Sequence, residues 1–133
     1  MEKWIYFLKK AKKTLATARH ALQTQDYRAS MYHSQETLEN LARTILILNN
    51  KEITNLTSEL IKINLTDNIL LKSLTQARAV YGRIGFPEFS LNQPIFNHET
   101  CSKMLIETQS SLSWTLKVIT SKTEIEWLTL FNL

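Results

Sequence analysis

The sequence predicts an all-α protein, an antiparallel up-and-down bundle of four long helices plus a short one. Two observations carry that prediction. The chain has 133 residues but only two glycines and two prolines, and all four fall between Gly82 and Pro94. Ordinary usage would supply about nine glycines and six or seven prolines, and an all-β chain needs them at its frequent turns. Elsewhere apolar residues recur at alternating spacings of three and four, the period of a helix face packed on a core. With 44% hydrophobic and 21% charged residues, the chain has the composition of a folded protein. Its length suits one domain spanning 1–133.

The first helix is expected over 3–23, with Trp4, Leu8, Ala11, Leu15, Ala18 and Leu22 on one face. Asp26 is an acid suited to cap or open the second helix, over about 27–48. The apolar line of that helix is Tyr27, Met31, Ser34, Leu38, Leu41, Ile45 and Leu48. Glu39 and Arg43 stand four apart in the favourable acid-first order. Asn49-Asn50 closes the helix, since asparagine tolerates the left-handed conformation.

A short third helix follows over 55–63. Thr66 or Asp67 is expected to cap a fourth, whose stripe of Leu70, Leu74, Ala77 and Tyr81 runs to Gly82. A loop is expected over 83–97, most of it outside the residues described below. Asn97 caps a fifth helix over 98–120, with Cys101, Leu105, Thr108, Leu112 and Ile119 inward. The end, 123–133, fits either strand alternation or a helical turn. Its Trp127, Leu128 and Phe131 need cover from the bundle or from a second chain.

The formal net charge is +4, unevenly spread: residues 1–20 carry +5, 21–60 carry −2 and 61–133 carry +1. The excess lies on the first helix, at Lys9, Lys10, Lys12, Lys13 and Arg19. A basic helix face attracts nucleic acid, so Lys9, Lys12 and Lys13 are candidate binding residues. Several function classes drop out. Cys101 is the only cysteine, so there is no intrachain disulfide and no CxxC. His20, His33 and His98 do not pair at metal-ligand spacing, and no metal or cofactor is expected. Gly-rich phosphate loops are excluded by the glycine count. Lysines interrupt any secretory apolar core, and no apolar stretch approaches the roughly 18 residues of a membrane span. A cytoplasmic protein without a membrane association is expected.

The segment Tyr81-Gly82-Arg83-Ile84-Gly85-Phe86-Pro87-Glu88 gathers an arginine, two aromatics and the permissive residues. Arg83 beside Tyr81 is suited to bind a phosphate or stack on a base.

The opening of the chain carries a family resemblance. Trp4, the run Lys10-Ala11-Lys12-Lys13-Thr14-Leu15-Ala16-Thr17-Ala18, then Gln25-Asp26-Tyr27-Arg28-Ala29, Ser34-Gln35-Glu36 and Glu39-Asn40-Leu41-Ala42-Arg43 resemble the first two helices of HEPN-domain proteins. Arg43 stands where the family usually has lysine, and Thr44 where it has alanine. Tyr81, Arg83 and Phe86-Pro87-Glu88 resemble the family's "Y-x-x-R-Y-P-D" segment, with Arg83 shifted. The resemblance implies an antiparallel bundle, usually a homodimer, often acting beside a minimal nucleotidyltransferase as toxin to its antitoxin.

Many members cleave RNA with an Arg-x4–6-His motif at the start of the last long helix. There the arginine holds the scissile phosphate and the histidine exchanges a proton with the ribose 2′-OH or the leaving oxygen. In this chain His98 occupies that place, but no arginine lies between 84 and 98, and Arg83 is fifteen residues away. Arg28-Ala29-Ser30-Met31-Tyr32-His33 satisfies the spacing in another helix, where positions five apart point about 140° apart. The first expectation is therefore a dimer that is non-catalytic or has a rearranged site. It would bind a nucleotidyltransferase, a nucleotide or RNA. The alternatives are a ribonuclease toxin using Arg83 with His98, or Arg28 with His33, and a nucleic-acid binder acting through its basic helix.

Overall fold

The computed structural model describes residues 2–81 and 96–133. They form six helices: α1 (Lys3–Gln23), α2 (Tyr27–Leu48), α3 (Leu56–Ile63), α4 (Ile69–Tyr81), α5 (His98–Thr123) and α6 (Trp127–Phe131). No strand occurs among the described residues. The all-α prediction holds, with α6 as a second short helix. The bounds of α1, α2 and α3 follow the spacing of the apolar residues.

The ends are set by local chemistry. Asp26 caps α2, its carboxylate accepting from the Ala29 amide. Asn55 caps α3 through the Ser58 amide. At the head of α5, Asn97 and Thr100 form a reciprocal capping box, satisfying two amides that the helix leaves without partners. Asn50 closes α2 in the left-handed region with φ of 57°. The fourth helix departs from expectation. Neither Thr66 nor Asp67 caps it; the side chain of Asn68 accepts from the Leu71 amide at 2.9 Å. Asp67 instead takes a left-handed φ of 50° in the turn before it. The fifth helix also outruns its expected end at 120 and stops at Thr123, where Glu124 turns left-handed.

Hydrogen bonds between helices fix the packing directions. Thr14 and Thr37 hydroxyls meet at 2.7 Å, and Ser30 donates to the Ala18 carbonyl at 2.9 Å, so α1 and α2 run antiparallel. The Cys101 thiol donates to the Tyr27 carbonyl at one end of α2, and Lys122 reaches Asn49 at the other. α5 therefore runs parallel to α2 and antiparallel to α1. α2 packs on α1, α3, α4 and α5, which makes it the central helix.

One hydrophobic cluster takes side chains from all six helices, including Trp4, Leu8, Leu38, Leu41, Ile45, Leu60, Leu74, Trp114, Ile119 and Leu130. Each such side chain removed from water contributes about 1.5–3 kcal/mol before chain entropy is set against it. The central position of α2 buries more than its apolar line, adding Ser30, Gln35, Thr37, Asn40 and Thr44. Buried threonines stay satisfied by donating to the carbonyl four residues back: Thr44 to Asn40, Thr108 to Met104 and Thr115 to Ser111.

The terminal segment folds back on the bundle as a short helix. Leu130 is fully buried, while Leu128 and Phe131 remain 66% and 54% exposed. No helix among the described residues is long and apolar enough to cross a membrane.

Candidate functional site

The basic residues of α1 divide by helix geometry. Lys9 and Lys13 are exposed, and among the described residues neither meets a carboxylate. Lys10 lies 5.9 Å from the ring centre of Tyr6, itself 54% exposed on the same helix. α1 contains no acidic residue in its first turn. Together these place an aromatic ring and three cations on the solvent side of a helix whose other face is held in the core.

Lys12 is engaged differently. Its ammonium donates to the carbonyls of Leu130, Phe131 and Leu133 at 3.2, 2.6 and 3.0 Å. It also lies 5.9 Å from the Phe131 ring centre. Partial burial lowers its pKa from the ordinary lysine value. Arg19 reaches across to Gln109 on α5. The expected binding set of Lys9, Lys12 and Lys13 thus separates into two solvent-facing lysines and one that fastens the tail.

Of the residues expected to cleave RNA, Arg28, His33 and His98 lie among the described residues. Arg28 is exposed in the first turn of α2. His33 is half-buried, its Nδ1 3.2 Å from Glu36 Oε1 and its ring edge-on to Tyr32 at 5.1 Å. Arg28 and His33 lie five positions apart on one continuous helix. His98 is the exposed first residue of α5, with Nδ1 3.4 Å from the Ser102 hydroxyl. Tyr81 closes α4, and its side chain lies outside the described residues, as does Arg83.

A charged cluster that the sequence did not single out as a site lies between α2 and α4. Glu39 Oε2 is 3.5 Å from an Arg43 nitrogen, and Glu39 Oε1 is 3.5 Å from an Arg78 nitrogen. Arg43 also donates to Asn40 Oδ1 at 2.8 Å and sits 5.9 Å from the Phe7 ring centre. Arg78 donates to the Thr57 hydroxyl at 3.4 Å. The Glu39–Arg43 spacing is visible along the chain. Arg78 joins it only because α4 packs on α2.

Cys101 is buried, and desolvation pushes its thiol pKa up, against the smaller opposing effect of nearby Thr100 and Ser30 hydroxyls. That makes it a poor nucleophile. Among the described residues no three His, Cys, Asp or Glu side chains gather as a metal site.

A central α2 packed against α1, α3, α4 and α5 defines an all-α helical-bundle domain among the described residues. The HEPN domain family model matches residues 3–114, which covers α1 to most of α5, and the chain belongs to the HEPN family. No curated protein and no solved structure gives a significant match.

Proposed function

We propose that this HEPN-family protein acts by binding rather than by cutting RNA, and that the solvent face of α1 takes the backbone of an RNA strand. The observation that carries this reading is the set of Lys9, Lys10 and Lys13 beside Tyr6. Among the described residues these cations have no carboxylate partner, and their helix is anchored by its opposite face. Ammonium groups along such a face neutralise phosphates and release counterions, and an exposed ring offers a surface on which a base can stack. The non-catalytic reading is supported by the sequence around His98, which has no arginine four to six residues before it. The family resemblance adds a homodimer and a minimal nucleotidyltransferase as partner.

Fluorescence anisotropy with a labelled single-stranded RNA tests the reading. Affinity should fall with salt. Lys9→Ala with Lys13→Ala should flatten the log–log slope by about 1.4, at about 0.7 for each phosphate left unneutralised. The RNA should be recovered intact. Cleavage that His98→Ala or His33→Ala abolishes would establish the ribonuclease alternative instead. A flat salt dependence would remove the α1 face as the binding surface.

A further inference from the structure

We infer that the tail, residues 124–133, is a displaceable latch on the basic face of α1: docked, it withholds Lys12 from RNA, so that RNA binding and tail docking oppose one another. The inference rests on the RNA-binding role proposed for α1.

Lys12 belongs to the basic face by its place on the helix. It follows Lys9 by three residues, and positions three apart are surface neighbours, about 60° apart around the axis. It borders Lys9 on the side away from Lys13. With the tail docked, its ammonium has no donor left to offer. An ammonium carries three N–H groups. The Leu130, Phe131 and Leu133 carbonyls take three bonds from it, at 3.2, 2.6 and 3.0 Å. The Phe131 ring lies against the same nitrogen. Lys9 and Lys13 stand exposed beside it. A phosphate oxygen can take a bond from Lys12 only by breaking one to the tail.

The tail is held narrowly. α6 has five residues, too few to persist as a helix without tertiary support. Among the helices it packs on α5, and Lys12 ties it to α1. Leu130 is fully buried, whereas Leu128 is exposed. Glu124, left-handed with φ of 62°, ends α5 and sets the tail off as a separate arm. An element with so few buried side chains opens locally without unfolding the domain beneath it.

Charge gives the opening its direction. The tail contains Glu124 and Glu126 and no cation. Both glutamates are exposed, and Glu126 stands one turn before Leu130, whose carbonyl Lys12 holds. An RNA strand on α1 repels these carboxylates and attracts Lys12, so it favours the released arm on both counts. The coupling is reciprocal: a tail that weakens RNA binding is loosened by RNA to the same extent.

Two measurements on the full chain test the latch. The first repeats the anisotropy titration with single-stranded RNA across salt. Leu130→Ala frees the tail and leaves Lys12 in place. Its log–log salt slope should be steeper than the wild type's by about 0.7, one added phosphate contact, and its binding about fivefold tighter at 0.1 M salt. Adding Lys12→Met to Leu130→Ala should return the slope to the wild-type value and remove most of the gain. The second measurement needs no variant, and so stands if Leu130→Ala does not fold. Saturating RNA should speed hydrogen exchange at the Leu130 and Asn132 amides of the wild type, which docked α6 ties to Glu126 and Leu128. Amides in the middle of α2 should not respond. RNA binding that depends on Lys9 and Lys13, with tail exchange unchanged or Leu130→Ala no tighter than the wild type, overturns the latch and leaves the α1 reading standing. A gain that survives Lys12→Met also overturns it, because Lys12 is then not the group withheld. No RNA binding, or a flat salt dependence, removes both readings.

Discussion

At the scale of single residues, burial decides what a side chain can do. Cys101 is a lone thiol on a helix, and its sequence position says little about reactivity. In the structure it is fully buried and hydrogen-bonded to the Tyr27 carbonyl. Burial raises its pKa, so the thiol's contribution to stability is complete below the ordinary thiol value and is lost as pH climbs through the raised one. Native protein at pH 8 is therefore expected to resist a thiol-alkylating reagent and to react fully once denatured. Rapid labelling of the native state would contradict that burial. Asn40 and Arg78 make the opposite point. Both would pass as ordinary polar positions in the sequence, and only their shielded nitrogens, unpartnered among the described residues, mark the α2–α4 cluster.

At the scale of elements, the helices were legible because their information is local. Apolar spacing located α1 and α2, and short-range chemistry placed the caps at Asp26 and Asn97. Two boundaries moved. Asn68 outcompetes Asp67 as the α4 cap because Asp67 is in the turn conformation, and α5 runs three residues further, to Thr123. The tail shows what local pattern cannot settle. Five residues do not sustain a helix in water. α6 exists because Leu130 enters the core and Lys12 bonds the carbonyls of Leu130, Phe131 and Leu133 from α1. Lys12→Met should keep the stem's packing while removing those bonds. Amides of 128–133 should then exchange faster, with α1 to α5 unaffected. Leu130→Ala should cost about 2–5 kcal/mol in urea unfolding, the range for a buried leucine truncated in a packed interior. Unchanged exchange in the tail of the Lys12 variant would show that Leu130 alone holds α6.

At the scale of the whole molecule, the exposed apolar residues of the tail bear on assembly. Leu128, Phe131 and Leu133 lie outward next to the anchored Leu130. The homodimer proposed from the family resemblance is expected to give a light-scattering mass near twice the chain's 15.5 kDa at micromolar concentration. Phe131→Asp should shift that mass toward the single chain if the tail contributes to the interface. A single-chain mass for the wild type would remove the homodimer.

By itself the sequence determined the helical class, the order of the elements, most of their ends and the family resemblance that the 3–114 match confirms. These rest on period, caps and motif order, which are local or additive along the chain. The tertiary structure alone decided that α2 is central and hence buries polar residues, that Lys12 leaves the basic face to hold the tail, and that Arg78 joins Arg43 on one carboxylate. These features depend on residues far apart in the chain, which meet only when the helices have packed. A helical period says which face is apolar but not which neighbour will meet a polar side chain at its edge.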